Sequence, residues 1–138
     1  MHGAAEPFVW PVRVYYEDTD AAGVVYYANY LKYMERARTE WLREAGFDQR
    51  DLAERHRVIF VVRSAAIDYL APARFDDELQ VTLELIKVGA GQIDLAQRVL
   101  RGDALLAKAA VKIACVAANT MRPTRIPLPL ATRIRTSY

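Results

Sequence analysis

The feature that most constrains this chain is a single strongly amphipathic run from Tyr27 to Ala45. Advancing about 100° per residue from Tyr27 places Tyr27, Tyr30, Leu31, Met34, Ala37, Trp41, Leu42 and Ala45 on one arc, with Lys32, Arg36, Thr39, Glu40 and Arg43 opposite. The spacing predicts one helix that buries one side and wets the other, with Gly46 as its C-terminal stop. Arg38 projects into the apolar arc, where an unpaired charge is costly. A structural ion pair is therefore expected, with Glu35 one turn earlier or with an acid at residues 17 to 20.

The start of that helix follows an acidic corner, Glu17-Asp18-Thr19-Asp20-Ala21-Ala22-Gly23. The first N–H groups of a helix lack intrahelical partners and sit at the positive end of its dipole, so an oxygen acquiring negative charge is stabilised there. Gly23 lets the backbone turn tightly, and Asp20, seven residues ahead of Tyr27, is close enough to face the same point. A carboxylate opposite anion-stabilising donors is the minimum equipment for attack on an acyl group. The plainer role for Asp20 is a turn or cap residue. Asp18 is read as orienting the loop. Glu35 is the second choice for a catalytic acid. Glu17, Asp18 and Asp20 lack an accompanying histidine pattern or second carboxylate cluster, so no metal site is expected.

Around this corner the chain reads as strands. Trp10 to Glu17 alternates, with Val12, Val14 and Tyr16 on one side, and predicts a first strand. Residues 47 to 57 are polar, with a short helical turn at Asp51 to Arg55 and a surface His56. Val58 to Tyr69 is rich in β formers, and its apolar start implies burial on both faces. Leu79, Val81, Leu83 and Leu85 alternate with polar residues in the third strand, and Gln92 to Leu100 forms the fourth after a Gly89-Ala90-Gly91 turn. Ala104 to Ala117 allows a helix by periodicity, but the preceding hairpin turn and the run from Val111 to Val116 favour a strand. Pro123, Pro127 and Pro129 argue against a central strand or long helix, which leaves a surface-wrapping tail. One helix among antiparallel strands makes an α+β domain, a curved sheet of about five strands around one long central helix. It spans 1–138 as one unit, with 1–9 and 124–138 peripheral.

A net charge of +2 is too small to argue for nucleic acid. Cys115, the sole cysteine, lies in an apolar run and reads as a small buried hydrophobe, without disulfide or thiolate metal chemistry. Neither a run of about 18 apolar residues nor a charged leader followed by an apolar core is present, so no membrane insertion and a cytoplasmic location are expected.

Val12-Arg13-Val14-Tyr15-Tyr16-Glu17-Asp18-Thr19-Asp20, Gly23-Val24-Val25-Tyr26 and Glu35-Arg36-Ala37-Arg38-Thr39-Glu40 together resemble the hotdog-fold acyl-CoA thioesterases. The closest likeness is to the YbgC-like, Tol-Pal-associated branch of the 4-hydroxybenzoyl-CoA thioesterase family. The likeness continues through Phe60-Val61-Val62-Arg63, Asp68-Tyr69, Ala71-Pro72-Ala73-Arg74 and Asp76-Asp77. It implies a hotdog fold and hydrolysis of acyl-CoA without metal or dissociable cofactor. It puts Asp20 in the position of the catalytic aspartate and substrate contacts at Gly23, Val24, Val25, Tyr26 and Arg63. The family residue seven positions beyond the aspartate is usually His in the Tol-Pal branch and Tyr in the hydroxybenzoyl branch; here it is Tyr27. Its backbone N–H is expected to hold the thioester carbonyl. The resemblance further implies a homodimer, often doubled to a homotetramer, with substrate between subunits. Acyl carrier protein is an alternative to CoA as carrier. Lys87, Lys112 and Arg122 join Arg63 as candidates for the CoA phosphates because each follows or interrupts a strand.

Two other activities fit such a chain. One is a non-catalytic module that binds acyl-CoA or acyl carrier protein. The other is a hotdog dehydratase or hydratase acting on acyl thioesters, which calls for a catalytic His near the helix, whereas His2 and His56 lie away from it in sequence.

Overall fold

The computed structural model describes residues 7–137. Strand β1 (Phe8–Arg13) is followed by a 3-10 turn (Tyr16–Asp18), helix α1 (Tyr27–Glu44) and helix α2 (Gln49–Arg55). Strands β2 (Val58–Tyr69), β3 (Glu78–Val88), β4 (Gln92–Arg101) and β5 (Ala104–Ala117) come next, and helix α3 (Leu128–Ser137) closes the chain. The strands form one antiparallel sheet in the order β1-β3-β4-β5-β2, the α+β hotdog arrangement expected from the sequence. Alternation puts Leu79, Val81 and Leu83 of β3, Ile93, Leu95 and Val99 of β4, and Ala107, Val111 and Ile113 of β5 on the buried side. Helix α1 lies over β1, β3 and β4. Register shifts at Val62/Ser64, Leu85/Lys87 and Val99/Leu100 insert the irregularities that let a sheet curl around a helix.

Helix α1 ends as predicted. Gly46 takes φ +91°, its N–H donates to the Arg43 carbonyl at 3.0 Å, and the Phe47 N–H reaches the Leu42 carbonyl at 2.9 Å. Its buried stripe is Tyr30, Tyr33, Met34, Ala37, Trp41 and Leu42, rotated from the predicted arc. Tyr33 is fully buried, whereas Tyr27 and Leu31 are 65% and 42% exposed. The sheet approaches α1 from the Tyr33 side, which leaves the Tyr27–Leu31 edge uncovered by this chain.

The expected ion pair of Arg38 is replaced by a hydrogen bond to a neutral amide. Its Nη1 donates to Gln97 Oε1 at 3.0 Å, and Gln97 Nε2 donates in turn to the Met34 carbonyl at 3.0 Å. Gln97 is completely buried on β4, on the face where periodicity calls for an apolar residue. Burial lowers the Arg38 pKa, and the nearby Glu35 charge partly offsets this. The Glu35 carboxylate itself accepts from Thr39 Oγ1 at 2.7 Å.

Three further segments depart from the sequence reading. Strand β1 stops at Arg13, because the chain then folds into the 3-10 turn that holds Tyr16. The start of β2 is not covered on both faces, since Val62 is 50% exposed, and among the described residues β2 pairs with β5 alone at the sheet edge. The proline-rich end is a helix, since Pro129 lies in the first turn of α3, where no backbone N–H is required. Ile126, Leu130, Ala131 and Ile134 are buried in the main core. Helix α2 begins slightly before the predicted turn, with the Asp48 side chain accepting the Asp51 N–H at 2.7 Å, and His56 follows as its C-cap. His2 lies outside the described residues. No helix among the described residues is long and apolar enough to cross a membrane.

Two measurements check this packing. Leu130 and Ile134 are fully buried, so Leu130→Ala or Ile134→Ala is expected to lower unfolding free energy by about 2–5 kcal/mol in denaturant titration; a peripheral tail predicts almost no change. Cys115 is fully buried and its pKa is pushed up to about 11, so the thiol stays protonated at pH 8. A colourimetric thiol reagent at pH 8 should leave the native chain unmodified, label one thiol per chain in guanidinium, and react faster as pH rises toward 11.

Candidate active site

The acidic corner folds into a miniature hairpin. The Asp20 N–H donates to the Val24 carbonyl at 2.9 Å, the Gly23 N–H returns to the Asp20 carbonyl at 3.0 Å, and Thr19 bridges Val25 in antiparallel fashion. Gly23 closes the turn at φ +79°, a conformation that strains side-chain-bearing residues. Asp20 Oδ1 accepts the Ala22 N–H at 2.9 Å, and the side chain is exposed. Oδ2 has no hydrogen-bond partner among the described residues.

Asp18 performs the structural work expected of it. Its Oδ2 accepts the Tyr15 N–H at 2.9 Å, while its carbonyl accepts the Tyr26 N–H at 3.0 Å and Asn29 Nδ2 at 2.7 Å. Tyr33 is buried nearby, and burial together with the Asp18 carboxylate holds its phenol well above the ordinary range. Tyr26 is the N-cap of α1 and provides no side-chain cap. Asn29 N–H turns back to the Tyr26 carbonyl at 2.9 Å, while the Tyr27 N–H has no partner among the described residues. It is an available donor at the positive end of an 18-residue helix.

A cavity of about 360 Å³ opens at this helix start, lined by Val24, Val25, Tyr27, Tyr30, Tyr69 and the Leu70–Pro72 segment. The Asp20 N–H bond to Val24 fixes the hairpin against one wall. On the opposite wall Tyr69 Oη donates to the Tyr27 carbonyl at 3.3 Å, and Tyr30 Oη accepts the Ala73 N–H at 2.9 Å. A larger groove of about 620 Å³ between Arg13, Tyr16 and Phe75 includes no residue of α1.

Of the candidates named from sequence, Val24, Val25 and Tyr27 line the cavity, and Asp20 and Gly23 form the turn beside it. Tyr26 precedes the helix with its ring 57% exposed. Arg63 is six residues along β2 from Tyr69, about 20 Å away at strand spacing, and donates from Nη1 to Gln92 Oε1 at 2.5 Å. Lys87 and Lys112 each stand opposite Asp94 across the sheet, and Arg122 follows β5; none of the four cations lines the cavity. Glu35 is eight residues into α1, about 12 Å along the axis from Tyr27. Sequence reasoning missed Tyr69, Asn29 and Arg101. Arg101 Nη1 reaches the Pro72 carbonyl at 3.3 Å and Asp77 Oδ2 at 2.8 Å, tying down the Pro72 side of the cavity. Tyr69 carried one signal, as the last residue of a strand-like run ahead of Pro72; Asn29 and Arg101 carried none, because their partners, the Asp18 and Pro72 carbonyls and the Asp77 carboxylate, lie 11 to 29 residues away.

With this geometry established, comparison with known proteins identifies the family. A family model described as the thioesterase-like superfamily matches residues 14–134. The chain is 50% identical over 120 residues to the acyl-CoA thioesterase YbgC of Haemophilus influenzae, covering 87% of this chain and 88% of that protein. It is 46% identical over 121 residues to the acyl-CoA thioester hydrolase YbgC of Escherichia coli O157:H7, covering 87% and 90%. The crystal structure of a probable thioesterase from Bartonella henselae superposes with a TM-score of 0.84 at 35% identity, covering 88% of this chain and all of that one. The family match, the sequence identity and the shared fold lead to one conclusion: the chain belongs to the thioesterase-like superfamily of hotdog-fold proteins.

Proposed function

We propose that this chain hydrolyses acyl-CoA thioesters at the mouth of α1, yielding free acid and CoA. The observation that supports the reading is the unpartnered N–H of Tyr27, a residue lining a cavity whose Val24 wall is bonded to Asp20. The printed activities of the YbgC relatives point the same way.

In this mechanism the thioester carbonyl oxygen accepts the Tyr27 N–H. As the carbon becomes tetrahedral, negative charge gathers on that oxygen and is met by a fixed donor and helix dipole. Asp20 acts by one of two balanced routes. As general base it takes a proton from water while the hydroxide adds to the carbonyl carbon; collapse breaks the C–S bond, and the proton passes to the departing CoA thiolate. As nucleophile its Oδ2 adds to the carbon and expels thiolate, and water then cleaves the mixed anhydride. Gly23, Val24, Val25 and Tyr26 shape the approach for the pantetheine arm.

The working unit is a homodimer, doubled to a homotetramer, with substrate between subunits. The unpaired edge of β2 and the uncovered Tyr27–Leu31 side of α1 support this reading. Arg63 is assigned to the CoA phosphates, and its distance from the cavity within one chain suits a site shared with a second copy.

Asp20→Asn tests the chemistry cleanly, because an amide oxygen still accepts the Ala22 N–H and preserves the turn. Thiol release from acyl-CoA should fall at least about 100-fold in kcat while the circular-dichroism spectrum and Tm hold. Near full turnover in the variant overturns the assignment of Asp20. Tight acyl-CoA binding without thiol release by the unaltered chain identifies a binding module instead.

A further inference from the structure

We propose that Asn29 is a positioning residue for the reaction: its side-chain amide, bonded to the Asp18 carbonyl, sets the placement of the Tyr27 N–H relative to the Asp20 carboxylate. The inference rests on the thioesterase reading and deepens it by naming the side chain that joins the two halves of the site.

Asp20 stands on the loop hairpin and Tyr27 on the first turn of α1. Asp18 precedes Asp20 by two residues, so whatever grips the Asp18 carbonyl also grips the root of the hairpin. The Tyr26 N–H takes that oxygen at 3.0 Å, from the N-terminal side of Tyr27. Asn29 Nδ2 takes it at 2.7 Å, from the C-terminal side. The Tyr27 N–H lies between these two anchors and has no partner of its own among the described residues. With the first anchor alone, the opening turn of the helix is free to pivot about Tyr26, as helix ends do. The second anchor removes that swing.

The chemistry of the amide shows which element it serves. A carbonyl oxygen only accepts, so the amide presents its nitrogen to Asp18. The open groups at a helix start are N–H donors, which call for acceptors. Asn29 is the third residue of α1, yet its side chain spends a donor outward on the loop, while its own N–H is already bonded to the Tyr26 carbonyl at 2.9 Å. A carboxylate at this position suits the helix dipole better; an amide suits the Asp18 carbonyl. Asn29 is half-buried and is not among the residues lining the cavity, so its side chain acts through the backbone it holds.

Asn29→Asp is the discriminating variant, because it keeps the shape, favours the helix start and cannot donate to Asp18 when ionised. Its kcat for thiol release from acyl-CoA should fall about 10- to 100-fold, the scale of a small misplacement of a reacting group. KM should stay within about threefold, the pattern of an interaction felt in the transition state alone. Asn29→Ala, which removes the donor without adding charge, should show the same split. An S-alkyl-CoA thioether, which lacks the carbonyl, should bind wild type and both variants alike. Near wild-type kcat in either variant overturns the inference and leaves the thioesterase reading standing. So does a loss that falls on KM and thioether binding as heavily as on kcat, which marks general damage to the fold. A wild type that binds the thioether and releases no thiol from any acyl-CoA instead sinks the thioesterase reading, and the inference with it.

Discussion

The candidate site depends on one backbone oxygen, the carbonyl of Asp18, which accepts two donors from beyond the turn. Tyr26 N–H reaches it at 3.0 Å and Asn29 Nδ2 at 2.7 Å. These bonds fix the residue before α1 and a residue of its first turn to the same point. They also decide which polar groups remain available. Tyr26 and Asn29 are occupied, and the Tyr27 and Ala28 N–H groups between them have no partner among the described residues at the positive end of the helix dipole.

The sheet supports that joint from below. Strands β1, β3 and β4 hold the buried stripe of α1, and Gln97 reaches up from β4 to the Met34 carbonyl and to Arg38. A neutral amide in that position settles the guanidinium with a hydrogen bond while leaving its charge uncompensated by any close carboxylate bond. Desolvation still penalises that charge, which is why burial lowers the Arg38 pKa. At the other side of the sheet, β2 ends at Tyr69 beside the helix start, which is how an edge strand contributes a wall to the cavity.

Much of this was legible in the sequence because short-range periodicity reports short-range geometry. The long helix, its glycine stop, the turn at Asp20 to Gly23 and strands β3 to β5 are each set by spacing and turn chemistry within a few residues. The buried face of α1 keeps Tyr30, Met34, Ala37, Trp41, Leu42 and Ala45 of the predicted arc and exchanges Tyr27 and Leu31 for Tyr33, since Tyr33 reads as amphipathic and only the sheet decides which side it takes. Arg38 found Gln97 rather than Glu35 because the partner lies 59 residues away across a register no local pattern reveals. The helix at the end escaped notice because three prolines read as breakers, yet a proline in the first turn leaves an α-helix unharmed. Asp20 and Tyr27 stood out from sequence, but Tyr69 required the fold, as its nearest ring partner is 42 residues away.

An electrophilic donor that belongs to the main chain is indifferent to the side chain mounted on it. At position 27 the N–H persists through any replacement except proline, whereas the ring above it contributes to the cavity wall. Under the proposed mechanism, catalytic capacity and cavity shape are encoded in separable atoms of one residue. On that proposal, a change of side chain at position 27 alters the wall and leaves the donor in place, a division of labour that a side-chain donor could not offer.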